Sequence, residues 1–235
     1  MAELSRRALI TAGFAGIAAG FPSRASPPPR PAGCDRLADL IDKEIGGIAR
    51  DPMDALARIR ARLRAAAEAG LFDPWRGLTP AENAKLRLVD GGGPGERWKV
   101  QLFQIADGRS HPPHCHDDLA SCLLVLDGRL RIREYDRLRD RETAEAAVLR
   151  RVVEDELQPG QSILTTEDHH NAHWFGAVRG PVLAVNFRAS GYFRRDGTRL
   201  HNRRYLDPAR DAGAPFPAPF IAPFEAKARF GRRPL

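Results

Sequence analysis

The sequence predicts an all-β domain with N-terminal helices, folded as a single closed barrel. Two observations carry this. From Lys85 to Phe187, short apolar or alternating runs recur at strand length, separated by Gly, Pro and Asp clusters. Ahead of them, residues 34–72 show apolar positions at helical spacing instead. Closure suits such a run of short strands because it removes exposed edges. A chain of 235 residues is long enough for one domain with a sizeable core.

The elements follow in order. Residues 1–25 place Arg6 and Arg7 before an apolar stretch from Ala8 to Gly20, which ends near Ser23-Arg24-Ala25, a small-x-small cleavage pattern. This reads as a twin-arginine signal peptide, and the apolar part is too short for a permanent membrane span. It predicts export of the folded chain to the periplasm by the twin-arginine machinery. Residues 26–33 form a stiff Pro-rich linker. In 34–72, Leu37, Leu40, Ile41, Ile45 and Ile48 share one helical face. Asp51-Pro52 then offers an N-cap and a proline at the first position of a second helix, with Met53, Leu56, Ile59, Leu63 and Ala66 on its apolar side and Gly70 as its stop. Both helices are expected to pack outside the barrel, which spans 80–206. Strands are expected at 85–89, 98–105, 122–126, 130–135, 147–153, 162–165, 173–177 and 182–187. Residues 207–235 are rich in proline without a steady period, and are expected to wrap the barrel through Phe216, Phe220 and Phe224 or to be partly disordered.

Composition narrows the function. The formal net charge is +7, and loss of the first 25 residues removes three arginines and one glutamate. The remaining arginines, such as Arg129, Arg131 and Arg133, alternate with acids such as Glu134 and Asp136, which suits a wet strand face. No aromatic-interleaved basic patch or nucleic-acid motif is present, so nucleic acid is not an expected partner. Three cysteines, Cys34, Cys115 and Cys122, cannot all pair within one chain, and without a C-x-x-C spacing they are expected to be buried, inert thiols.

The chemistry concentrates in Gly108-Arg109-Ser110-His111-Pro112-Pro113-His114-Cys115-His116. Alternate residues of a strand share a face, so His114 and His116 can offer two imidazole nitrogens to one ion. His169, His170 and His173, just ahead of the apolar run from Val182 to Val185, are the candidates for a third ligand. Gly108, His114, His116 and Gly128 have the spacing of the first motif of the cupins, and the segment resembles that family, whose fold is a double-stranded β-helix or jelly-roll barrel. Ser121 stands where most metal-binding cupins carry a glutamate.

A narrower resemblance runs from about residue 98 to 206. Leu164, Asn171, His173, Phe175, Ala177 and Val178 resemble the second half of the plant cysteine oxidase and cysteamine dioxygenase family. The stretches Pro112-Pro113-His114-Cys115-His116 and Leu126-Asp127-Gly128 through Tyr135-Asp136 resemble its first half. Where that family has two glycines before the Asn, this chain has His169 and His170. The family's acid in the following strand falls on Ala184 or Val185. The resemblance implies that His114, His116 and His173 bind Fe(II), and that the protein is a non-haem iron thiol dioxygenase.

An ion on three neutral imidazoles keeps three adjacent positions for a thiolate, a second substrate donor and dioxygen. The resemblance implies a sulfinic acid product. Cysteine, cysteamine, 3-mercaptopropionate-like acids and peptides with an N-terminal Cys all suit as the thiol. Two other classes compete: an exported cupin that uses a redox-inactive metal as an isomerase or hydrolase, and a non-catalytic small-molecule binding module. Ser121 is placed to hydrogen-bond a bound ligand or to fill space, Tyr192 to close the pocket, and Arg87 to meet a substrate carboxylate. His111, His169 and His170 are candidates for orienting ligands or relaying protons, and His201 for a surface residue.

Overall fold

The computed structural model describes residues 31–78, 82–93, 97–193, 203–211 and 214–232. The signal segment 1–25, most of the linker and His201 lie outside the described residues. Among the described residues no helix is long and apolar enough to cross a membrane.

Two helices open the fold, α1 (Gly33–Ile45) and α2 (Pro52–Glu68). Asp51 caps α2 by accepting a hydrogen bond from the Asp54 backbone at 3.0 Å, with Pro52 at the first helical position. Gly70 takes φ +77° just beyond its end, a conformation that glycine adopts without a steric penalty. A short 3₁₀ turn at Asp73–Trp75 leads into the strands.

Among the described residues eleven strands follow: β1 (Ala84–Gly91), β2 (Arg97–Ile105), β3 (Ser110–Cys115), β4 (Ala120–Asp127), β5 (Leu130–Arg137), β6 (Ala146–Leu157), β7 (Ser162–Thr165), β8 (Ala172–Ala177), β9 (Val182–Ser190), β10 (Arg204–Leu206) and β11 (Phe216–Ile221), before helix α3 (Pro223–Phe230). They form a five-stranded sheet in the order β1-β2-β9-β4-β7 and a closed six-stranded barrel, β10-β11-β6-β5-β8-β3. All the pairings are antiparallel. The chain therefore folds as the mostly β double-stranded β-helix, with two helices ahead of it.

The five-stranded sheet buries both faces, which explains why β4 is buried along seven of its eight positions. One face carries Val100, Leu102, Cys122, Leu124, Val185 and Phe187 against the helices, where they meet Ile41, Leu56, Ile59 and Leu63. Trp98 adds a hydrogen bond from its indole N–H to Asp42 at 2.8 Å, which ties α1 to β2. The other face carries Phe103, Ile105, Leu123, Val125 and Ala184 into the barrel, where they meet Ile132, Leu157 and Phe175.

The C-terminal segment differs from the expected tail. Residues 204–221 supply the two strands that close the barrel, since β10 pairs with β3 and β11 with β6. In β11 the buried residues Phe216 and Ala218 alternate with the exposed Pro217 and Pro219, so a period of two was present behind prolines that argue against a central strand. They are tolerated because β10 pairs only with Phe220 and Ile221, leaving no strand beside the prolines on that edge. Phe224, expected to pack, is 79% exposed.

Gly128 turns the chain between β4 and β5 at φ +78°, and a Cβ there would sit 2.2 Å from the Pro181 carbonyl oxygen. Gly128→Ala is expected to destabilise the fold by about 2–4 kcal/mol, combining backbone strain with a backbone clash. Urea unfolding of the variant beside the parent measures this, and a loss below 1 kcal/mol would contradict it.

Candidate metal centre

His114 on β3 lies directly opposite His173 on β8 in the barrel register. Cross-strand partners present their side chains on the same face, so both rings enter the barrel. His116 reaches the same place by other means: β3 ends at Cys115, and strand alternation does not extend to His116. Its backbone N–H donates to the Asn171 carboxamide oxygen at 3.2 Å, and its carbonyl accepts from Arg137 Nη1 at 2.9 Å. The same Arg137 nitrogen donates to Asn171 Oδ1 at 3.1 Å and to Asp117 Oδ1 at 2.9 Å, while Glu142 takes the other side of the guanidinium at 2.7 Å twice. Asn171 in turn donates to the Thr166 carbonyl at 3.2 Å. Arg137 is therefore a buried clamp between the segment after β3 and the segment before β8. Burial opposes the charge on Asp117, but the Arg137 hydrogen bond and charge prevail and hold its carboxyl below the usual range.

The three rings converge, with centroids 4.5 Å apart for His114 and His173, 4.7 Å for His114 and His116, and 5.3 Å for His116 and His173. One nitrogen from each lies within 4.8 Å of the others, and no carboxylate joins them among the described residues. His114 Nδ1 donates to the Pro112 carbonyl at 2.7 Å, which fixes its proton there and turns the Nε2 lone pair inward. That Nε2 sits 3.1 Å from His173 Nε2. Two nitrogens bound cis to one ion at ~2.1 Å each stand ~3 Å apart, so the donor set fits a divalent transition metal. Burial, and then the positive charge of Arg203, keep His114 well below the ordinary imidazole value and push His173 down to about 3. Both rings are neutral at physiological pH, the form that binds a metal.

The rings line a small cavity with Phe103, Leu119, Leu123, Ile163 and Phe175 as apolar walls. Ser121, Asn186, Arg188 and Arg203 complete its polar side. Ser121 lies opposite Arg188 on β9 and opposite Thr165 on β7, so it faces the cavity as expected from its motif position. His111 also lines it, tilted against His114 with ring centroids 4.6 Å apart, but its Nε2 accepts from Lys85 Nζ at 3.1 Å and Arg203 Nη1 at 3.4 Å. With its lone pair engaged by two cations, His111 holds the pocket wall.

Other expected residues fall elsewhere. Tyr192 packs on the helix-side core and borders a separate cleft with Asp42 and Ile45, so it does not close this cavity. Its position after β9 was readable, but the face on which the chain leaves that strand was not. Arg87 is exposed and pairs with Asp90 at 2.9 Å. His169 and His170 stack on each other at 3.7 Å outside the cavity. They approach Asp136, but this group has its own partners: Asp136 binds Arg150 at 2.9 Å and His170 binds the buried Glu134 at 3.0 Å. His170 has φ +52°, so the turn where the resembled family has glycine still uses the left-handed conformation. Cys34, Cys115 and Cys122 are buried and form no disulfide among the described residues, and burial pushes the Cys115 thiol up to about 11 and Cys122 to about 12. Sequence reasoning missed Arg137, Arg188 and Arg203. The first two end or interrupt apolar runs, which is the available sign that a strand residue turns toward a polar interior.

No family model matches the chain. Among curated proteins it is similar to human 2-aminoethanethiol dioxygenase, 30% identical over 136 residues, covering 48% of this chain and 50% of that protein. The fold is a double-stranded β-helix, and over this stretch the chain is similar to a thiol dioxygenase. It spans about half the length of that relative. Similar solved structures include a cupin superfamily protein from Desulfitobacterium hafniense (17% identity, TM-score 0.35, 50% of this chain and 84% of that one). A Klebsiella pneumoniae protein with a double-stranded β-helix domain gives 12% identity and TM-score 0.36 over 51% and 86% of the two chains. An oxalate oxidase gives 17% and 0.37 over 48% and 54%.

Asn171→Ala removes the hydrogen bonds that hold His116 and the segment before β8 together. It is expected to weaken metal affinity ~10–100-fold, as loss of a ligand-orienting partner does, measured by chelator competition. A second expectation concerns pH. Folding lowers the pKa of His111, His114 and His173, so the unfolded chain binds more protons below about 6.5. The metal-free protein should be stable above that value and lose stability as pH falls toward the depressed folded values. Urea unfolding at pH 7.5 and 5.5 reads this, and greater stability at 5.5 would refute it.

Proposed function

We propose that this chain is a non-haem iron thiol dioxygenase, with Fe(II) held by His114, His116 and His173. The observation that carries the reading is the three-imidazole donor set without a carboxylate, in a chain related to a protein named for thiol dioxygenation. Iron, when bound, supplies the electron transfer by which both atoms of dioxygen join one sulfur, R–SH + O₂ → R–SO₂H, a balance that needs no external reductant.

The chain's own residues prepare that chemistry. Neutral rings contribute no negative charge, so a thiolate is the anion that the bound cation attracts. The hydrogen bond to Pro112 keeps the His114 proton off the metal-facing nitrogen. Phe103, Leu119, Leu123, Ile163 and Phe175 exclude bulk water from the reacting sulfur. Cys115 and Cys122 have raised pKa values and are buried, so the protein's own thiols do not compete as thiolates.

The test is anaerobic loading with Fe(II), followed by oxygen-electrode assays across cysteine, cysteamine, 3-mercaptopropionate and an N-terminal-Cys peptide. Oxygen uptake equal to sulfinate formed is expected, with at least ~10³-fold loss in His173→Ala. Full metal binding with no uptake from any of them would place the chain among redox-inactive metal cupins.

A further inference from the structure

Among the described residues, the polar end of the cavity gathers positive charge that the three histidines do not explain. Across the five-stranded sheet, Thr165, Ser121, Arg188 and Lys99 stand in one register row, and Ser121 and Arg188 border the cavity. From the barrel side Arg203, just ahead of β10, brings a second guanidinium to the same space. Its Nε is buried without a hydrogen-bond partner among the described residues. Lys85 stands at the rim, 4.4 Å over the Phe103 ring. No Asp or Glu is among the described residues that line the cavity.

The crowding is visible in the titration of these groups. Burial, then Arg203, pushes Arg188 down to about 10. A site walled by one sign of charge concentrates ligands of the other sign, and a planar guanidinium meets a carboxylate or sulfonate through two parallel hydrogen bonds. A divalent ion on the three imidazoles would add to the same positive field.

We propose that the cavity selects a short thiol whose far end is an anion, a carboxylate or a sulfonate, received by Arg203 and Arg188 while the sulfur faces His114, His116 and His173. This rests on the thiol-oxidising reading above and sets the substrate class within it. An aminothiol would bring an ammonium into the same positive field, so this chain departs from the aminothiol for which its human relative is named.

Two measurements decide it. In oxygen-uptake assays of the Fe(II)-loaded protein, kcat/KM for 3-mercaptopropionate is expected to exceed that for cysteamine by ~100-fold. Arg203→Met and Arg188→Met should each erase most of that ratio, and Arg203→Lys should retain part of it. In a metal-free thermal-shift assay, 3-mercaptopropionate and propionate should raise the melting temperature, and cysteamine should not. Where any thiol is oxidised, the uptake ratio rules. Equal or greater efficiency with cysteamine or an N-terminal-Cys peptide overturns the anion preference and leaves the oxygenase reading in place. Where no thiol is oxidised, the oxygenase reading fails, and the thermal shift alone then decides whether the cavity takes anions. If Arg203→Met and Arg188→Met do not fold, the parent ratio with Arg203→Lys carries the decision.

Discussion

The site depends on the register between β3 and β8. His114 meets His173 only because these strands are paired as they are, and a slip of one residue would turn one ring to the opposite face. Both ends of the pair are fixed. At one end Gly176 approaches Ser110 so closely that a Cβ would lie 2.8 Å from the Ser110 side chain. At the other end Asn171 and the buried Arg137 bind the backbone on both sides. Two prolines interrupt β3 between these points, at the register shift from His111 to His114. The irregular ligand strand is thus held by side chains where its own ladder is weakest.

The interior of the barrel has two characters. Toward the Gly128 turn it is a dry packing of Val125, Ile132, Leu157 and Ala184. Toward the start of β4 and the end of β9 it holds Ser121, Asn186 and Arg188 beside the histidines. Alternation along each strand decides which residues face inward, and position along the strand decides whether they meet the apolar floor or the polar chamber. The apolar floor gives the ligand rings a firm base, and burial there keeps them unprotonated.

Much of this was legible in the sequence because it depends on local chemistry. The cap at Asp51, the glycine stops and eight of the strands follow from periodicity and turn residues. His114, His116 and His173 follow from motif spacing, and the structure brings them together. The unreadable parts depend on distant partners. Arg137 and Arg188 sit in strands as ordinary charged residues, and only the closed barrel shows that each is turned inward. Tyr192 matched by position, yet the chain leaves β9 toward the helices. In β11 proline concealed a true alternation, because strand propensity weighs the lost donor and cannot know that no neighbour needs it.

The closure of the barrel by β10 and β11 also bears on how the protein is made. The ligand strand β3 acquires its second neighbour from Arg204 and Tyr205, some ninety residues later. Ser110 on that strand then receives the backbone of Phe230 and Gly231. A nascent chain therefore carries His114 and His116 beside an open edge until Arg204 and Tyr205 have emerged. Ribosomes that stop before Arg204 release products with a breached wall, so a sheltered ion comes only after the closing strands have been added.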